Sequence, residues 1–99
     1  MARLIWTPQS VADLEALCEY IARDSEEYAR VMARRIVEVV EAIPDYPKAG
    51  RVVPEYGAPD IRERLVGSYR IIYRLASGAV EVLTIIHGSR LLAPDGEGE

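Results

Sequence analysis

The chain has 99 residues, 49% of them apolar, and a formal net charge of −4. That length and apolar share give one domain whose core needs no covalent staples, and leave no room for a second. The acidic balance argues against broad non-specific nucleic-acid binding, which works by neutralising phosphates, but permits a local basic groove. Cys18 is the only cysteine, so no intrachain disulfide can form, which fits a reducing compartment. There is no basic-then-apolar leader after Met1 and no apolar run near the ~18 residues of a membrane span. The expectation is a cytoplasmic protein with no membrane partner.

In chain order, residues 2–6 (ARLIW) are a short apolar run that stops at Thr7-Pro8, a cap and first-turn pair for a helix. Val11, Leu14, Leu17, Cys18 and Ile21 then recur at helical spacing up to Arg23, with Asp13, Glu15 and Glu19 mostly off that stripe. Asp24 precedes Glu27 by three residues, a capping-box spacing, and Tyr28, Met32, Ile36, Val39 and Ile43 continue a second amphipathic helix. Pro44 and Pro47 end it. Arg51–Asp60, with Pro54, Gly57 and Pro59, reads as an irregular loop. Ile61–Val66, Tyr69–Leu75 and Val80–His87, separated by Gly67-Ser68 and Ser77-Gly78, read as a three-stranded antiparallel meander. The last run is apolar on both alternations apart from Glu81, Thr84 and His87, which suits a central strand. The predicted fold is α+β, in the order β-α-α-β-β-β, with a two-helix hairpin on one face of the sheet. Residues 1–94 form the single domain and 95–99 (DGEGE) an acidic disordered tail. Trp6, Tyr20, Tyr28, Tyr69 and Tyr73 fall in predicted elements as core or half-core aromatics; Tyr46 and Tyr56 fall in loops and are expected to be exposed.

Positive charge is concentrated between Ile61 and Arg90, where Arg62, Arg64, Arg70, Arg74 and Arg90 face only Glu63 and Glu81. Strand alternation puts Arg62 with Arg64, and Arg70 with Arg74. A two-residue loop at Gly67-Ser68 sets the pairs on opposite sheet faces; a three-residue bulged loop sets all four on one. The functional reading is a guanidinium cluster that clamps phosphates or an acidic partner; the alternative is a solvated sheet face. Pairing 75↔80 around Ser77-Gly78 implies 70↔85 and 68↔87, which returns His87 and Arg90 to the Gly67-Ser68 turn. His87 suits a general acid or base, a role histidine fills because an unperturbed imidazole changes charge near neutral pH, or a hydrogen-bonded structural role, with Glu55 the nearby carboxylate that can partner it. No metal-ligand spacing, nucleophile elbow or phosphate loop appears, and no cofactor is implied.

Four segments in order, WTPQSVADLEALCEYIARD, PKAGRVVPE, IRERLVGSYRIIYRL and IIHGSR, resemble the RelE/ParE superfamily of toxins from bacterial type II toxin–antitoxin modules, over residues 4 to about 92. The resemblance implies a helical hairpin on an antiparallel sheet, a growth-inhibiting toxin, and a cognate antitoxin whose C-terminal segment wraps the toxin in a hetero-oligomer. RelE-type members are mRNA interferases, endoribonucleases that cut messages in the ribosome with basic groups on the sheet. Arg62 and Arg64 match their strand-borne basic pair, Arg70 their Tyr-Arg arginine and Arg90 their C-terminal arginine, so that branch implies Arg70, His87 and Arg90 as the catalytic group. ParE-type members instead poison DNA gyrase and have no established nuclease chemistry. The C-terminal tyrosine that the RelE branch uses is missing after Arg90, where the sequence reads LLAPDGEGE, and the His-Gly-Ser-Arg-Leu ending is similar to ParE chains. The expectation is therefore a ParE-like gyrase inhibitor, with a ribosome-dependent mRNA interferase as the alternative.

Overall fold

Seven elements form among the residues described by the computed structural model, 2–90 and 92: strand β1 (Arg3–Trp6), helices α1 (Pro8–Ala22) and α2 (Glu26–Ala42), and strands β2 (Arg51–Val52), β3 (Ile61–Val66), β4 (Tyr69–Ala76) and β5 (Ala79–His87). The acidic tail expected at 95–99, with its boundary at 94, lies outside the described residues. No helix among them is long and apolar enough to cross a membrane.

Thr7 caps α1 as its sequence position predicts. Its hydroxyl oxygen accepts the Ser10 N–H at 3.2 Å and donates to the Val82 carbonyl at 2.6 Å, so the cap also fastens the helix to β5. Ser25, not Asp24, caps α2: its extended backbone points the side-chain oxygen at the Tyr28 N–H, 3.0 Å away, one residue later than the capping-box spacing suggests. Glu26 and Glu27 then sit in the first turn, where the helix dipole favours negative charge. The buried stripe of α2, Met32, Ile36 and Val40, joins Leu17 of α1 and closes on Ile71, Val82 and Ile85 of the sheet. Each such side chain contributes ~1.5–3 kcal/mol by leaving water. Tyr20 and Tyr28 depart from expectation, being 66% and 49% exposed, because the stripes that meet the core are Leu14, Leu17, Cys18 and Ile21 on α1 and Met32, Ile36 and Val40 on α2. The Arg23 guanidinium lies over the Tyr20 ring, 5.8 Å from its centroid. Tyr73 is fully buried, as expected.

After α2, Pro44 and Pro47 each open a short 3-10 turn, Ile43–Asp45 and Pro47–Ala49. The chain then enters the sheet earlier than the sequence suggests. Arg51 and Val52, read as part of a loop, pair antiparallel with Glu63 and Arg62. The five strands run in the order β1-β5-β4-β3-β2, and β1 pairs parallel with β5. β5 is thus flanked on both sides, which its double-sided apolar pattern anticipates.

Two details of register position the charged residues. Val66 pairs with Tyr69 across a two-residue turn in which Gly67 takes φ +56, so the turn is the short one of the two alternatives. Leu75 pairs with Val80 as expected, but Ile72 pairs with Thr84 and Tyr73 with Val82, which leaves Leu83 unmatched in a bulge. Beyond the bulge every partner moves by one: Arg70 faces Ile86 and Tyr69 faces His87, in place of 70↔85 and 68↔87. The Thr84 hydroxyl and the Ile85 N–H both donate to the Asp13 carboxylate on α1, which holds the bulged segment against the helix.

Candidate functional site

The short turn divides the arginines. Arg62 and Arg64 lie opposite Tyr73 and Ile71, on the helix side of the sheet, whereas Arg70 lies opposite Leu65 on the other face, with Glu63 two residues from Leu65 and Arg74 four from Arg70 along their strands. The four do not share a face. Their engagements differ as well. Arg62 donates through Nε to the Pro59 carbonyl at 2.8 Å and through Nη1 to those of Lys48 and Gly50, tying β3 to the connection after α2. Arg64 is half-buried. Arg74 is exposed and donates to Glu81 across the β4–β5 pair, with Nε at 2.8 Å.

Arg70 is buried, at 4% exposure, and forms the centre of an ion network. Nε donates to Glu63 Oε1 at 2.6 Å; Nη1 and Nη2 donate to Glu55 Oε2 and Oε1 at 2.7 and 2.9 Å; Nη1 also reaches the Arg90 carbonyl at 3.0 Å. Glu63, with no exposed side-chain surface, accepts from Arg51 Nε on its other oxygen. Glu55 Oε2 accepts the Leu92 N–H at 3.2 Å. The bidentate Arg70 guanidinium holds the Glu55 carboxyl down at about 2, and the two carboxylates push Arg70 further above its ordinary value. No buried side-chain polar atom among the described residues lacks a partner. Arg70, grouped by the sequence with a clamping arginine cluster or a solvated face, is instead a buried cross-link between β3, β4, the 53–60 loop and the Arg90 carbonyl. The network borders a cavity of about 510 Å3 on the face away from the helices, lined by Arg51, Glu55, Leu65, Ser68, Arg70 and Gly88.

His87 and Arg90 return to the Gly67-Ser68 turn as the hairpin pairing predicts: the Gly88 N–H donates to the Ser68 carbonyl at 2.6 Å and the Arg90 N–H to the His87 carbonyl at 3.0 Å. Their side chains are exposed and belong to a different groove from Arg70, one of about 400 Å3 bounded by Tyr20, Leu17, Tyr69 and Ile86. The His87 ring meets the Tyr69 ring edge-on at 5.6 Å, and its Nδ1 is bonded to the Ser89 hydroxyl at 2.8 Å. Glu55, the carboxylate considered as its partner, belongs to Arg70. Three residues thus escape a reading of the arginines alone: Glu55, Glu63 and Arg51. Strand parity was the available signal, since a 66↔69 turn puts Glu63 on the face of Arg70. No group of three or more His, Cys, Asp or Glu among the described residues is arranged to hold a metal ion.

Residues 4–92 match the family model of the ParE toxin of the type II toxin–antitoxin system parDE. The chain belongs to the ParE toxin family. Toxin RelE2 of Caulobacter vibrioides is 35% identical over 92 residues, covering 92% of this chain and 100% of its own length. A putative toxin of Sinorhizobium fredii, Y4kP, is 32% identical over 87 residues, 86% of each chain. In fold, this ParE-family toxin superposes on a chain of the chromosomal ParDE system of P. aeruginosa with a TM-score of 0.73 at 24% identity, over 88% of this chain and 96% of that one. The YoeB dimer of Staphylococcus aureus follows at a TM-score of 0.58 and 12% identity, over 87% and 95%. The ParE-family chain is a type II toxin of the RelE/ParE superfamily.

Proposed function

We propose that this toxin arrests growth by poisoning DNA gyrase rather than by cutting RNA, and that a cognate antitoxin neutralises it. The observation that carries the reading is the state of Arg70. A nuclease that relies on guanidinium charge needs that charge aimed at the phosphorane-like transition state. Here Nε, Nη1 and Nη2 are all bonded to Glu63, Glu55 and the Arg90 carbonyl. Arg62 is bonded to backbone carbonyls, and Arg74 to Glu81. The exposed groups, His87 and Arg90 with Tyr20 beside them, make a contact surface suited to a macromolecular target. For the antitoxin, the solved ParDE and YoeB–YefM assemblies of this fold supply the precedent.

One arrangement favours the second reading, a RelE-like mRNA interferase: His87 and Arg90 share a groove, an exposed imidazole beside an exposed guanidinium side chain. A single paired experiment separates the two. Purified toxin is added to a gyrase supercoiling reaction and to a translating extract. The gyrase reading expects inhibited supercoiling with intact message; codon-positioned cleavage of mRNA in the extract with untouched supercoiling would overturn it.

A further inference from the structure

We propose that Glu55 fills an oxyanion site, its carboxylate standing where two oxygens of a phosphate group bind, and that removing it turns Arg70 into a phosphate-binding residue on the wall of the 510 Å3 cavity. The inference builds on the reading that Arg70 is closed to phosphate, and names what closes it. Three features carry it. The first is geometry: the guanidinium fork donates through two nitrogens to two oxygens of one carboxylate, at 2.7 and 2.9 Å, the same parallel arrangement that recognises phosphate. A third donor, the Leu92 N–H at 3.2 Å from Glu55 Oε2, points at the same place.

The second feature is an asymmetry between the two carboxylates. Glu63 is part of a strand paired on both sides, with no exposed side-chain surface, and cannot withdraw. Glu55 stands on the 53–60 loop, on a turn closed by the Tyr56 and Gly57 N–H groups donating to the Val53 carbonyl at 3.1 and 2.9 Å, and its side chain keeps 13% of its surface in the cavity mouth. It is the displaceable partner. The third feature is charge. Arg51 and Arg70 are balanced by Glu55 and Glu63; without Glu55, the buried Arg70 guanidinium shares the one carboxylate of Glu63 with the solvent-exposed Arg51, and an oxyanion from solution restores neutrality beside Arg70. The ligand class is a phosphate group, either free or in a nucleic-acid backbone.

The test uses the purified full chain carrying Glu55→Ala beside the wild type, with thermal unfolding followed in inorganic phosphate and in chloride at matched ionic strength. Phosphate is expected to raise the Tm of the variant by roughly 5–10 °C as it reaches about ten times its dissociation constant, and to leave the wild type unmoved relative to chloride. A short single-stranded oligodeoxynucleotide acting at lower concentration than free phosphate assigns the site to backbone phosphate; a response to free phosphate alone assigns it to the small anion. A folded variant with the wild-type phosphate response overturns the proposal. So does stabilisation by acetate without stabilisation by phosphate, which marks a site for an acidic peptide instead. Should Glu55→Ala not fold in chloride, refolding in phosphate supports the proposal; if it fails there too, Glu55→Gln, which keeps the size and loses the charge, is titrated, and absence of phosphate-dependent shift overturns it. Neither gyrase nor ribosome enters these measurements, so their outcome is separate from that of the target assays.

Discussion

Replacing Arg70 with methionine keeps most of the side chain's length and removes its five N–H donors, so it isolates the ion network from simple volume loss. Two carboxylates are left behind. Glu63 retains only Arg51, whose side chain is 61% exposed, and Glu55 retains only the Leu92 N–H. Removing one partner of a buried pair typically costs ~3–5 kcal/mol, because the remaining charge is stranded away from water. With Arg51 still in place, the lower end applies, ~3 kcal/mol, a large part of the ~5–15 kcal/mol that holds a domain together. For a domain of this size that corresponds to a Tm lowered by roughly 12–24 °C. Circular dichroism melts and urea titrations at pH 7 measure it, with Arg74→Met as the exposed control, expected to lose only ~0–1 kcal/mol. The difference between wild type and Arg70→Met also depends on pH with a fixed sign. Glu55 has its folded value lowered from 4.5 to about 2, so its stabilisation is complete above 4.5 and fades as pH falls toward 2. The two melting curves must converge on acidification through that window. An Arg70→Met protein within ~1 kcal/mol of wild type at pH 7 would refute the network's role.

Other outcomes follow from single contacts. Gly50→Ala is expected to destabilise by ~1–3 kcal/mol, read by urea unfolding, because an added Cβ would stand 2.6 Å from the Glu63 carbonyl oxygen and crowd the Tyr73 hydroxyl. Thr7→Val removes the cap of α1 and its bond to Val82 together, for a loss of ~1–2 kcal/mol in the same assay. Arg90→Ala and His87→Ala are expected to weaken growth arrest strongly while moving Tm little, since both side chains are exposed and it is the Arg90 backbone carbonyl, not its guanidinium, that joins the network. Folded variants that remain fully toxic would remove that groove from the target surface.

The order and kind of the main elements are legible in the sequence because each rests on local chemistry: Thr7-Pro8 opens α1, the proline pair closes α2, and glycines mark the two hairpins. What local pattern does not carry is the pairing between distant segments. Nothing in ARLIW says that it lies parallel to residues 79–82, and nothing in VEVLTIIH marks Leu83 as the residue a bulge expels. The misjudgement of Arg70 has the same origin. Alternation identifies its neighbours on the sheet face, but its burial depends on Glu55, which a loop delivers from 15 residues away, and on a backbone segment 20 residues further on. Arginine beside hydrophobic strand residues reads as a surface charge until its carboxylates are located.

The parallel pairing of the first strand with the last also governs when this protein can exist. β5 lies between β1 and β4, and its Val82 and Ile85 complete the core that both helices close on. Without β5, β1 has no neighbour in the sheet, the helical hairpin lacks Val82 and Ile85 to close on, and the Glu55–Arg70 pair lacks the Arg90 carbonyl and the Leu92 N–H. Non-local pairing of this kind forms late, because the long loop must close before any contact rewards it. A chain whose β5 is not yet in place is therefore an open one, its first strand and its helices waiting on the last strand of the sheet.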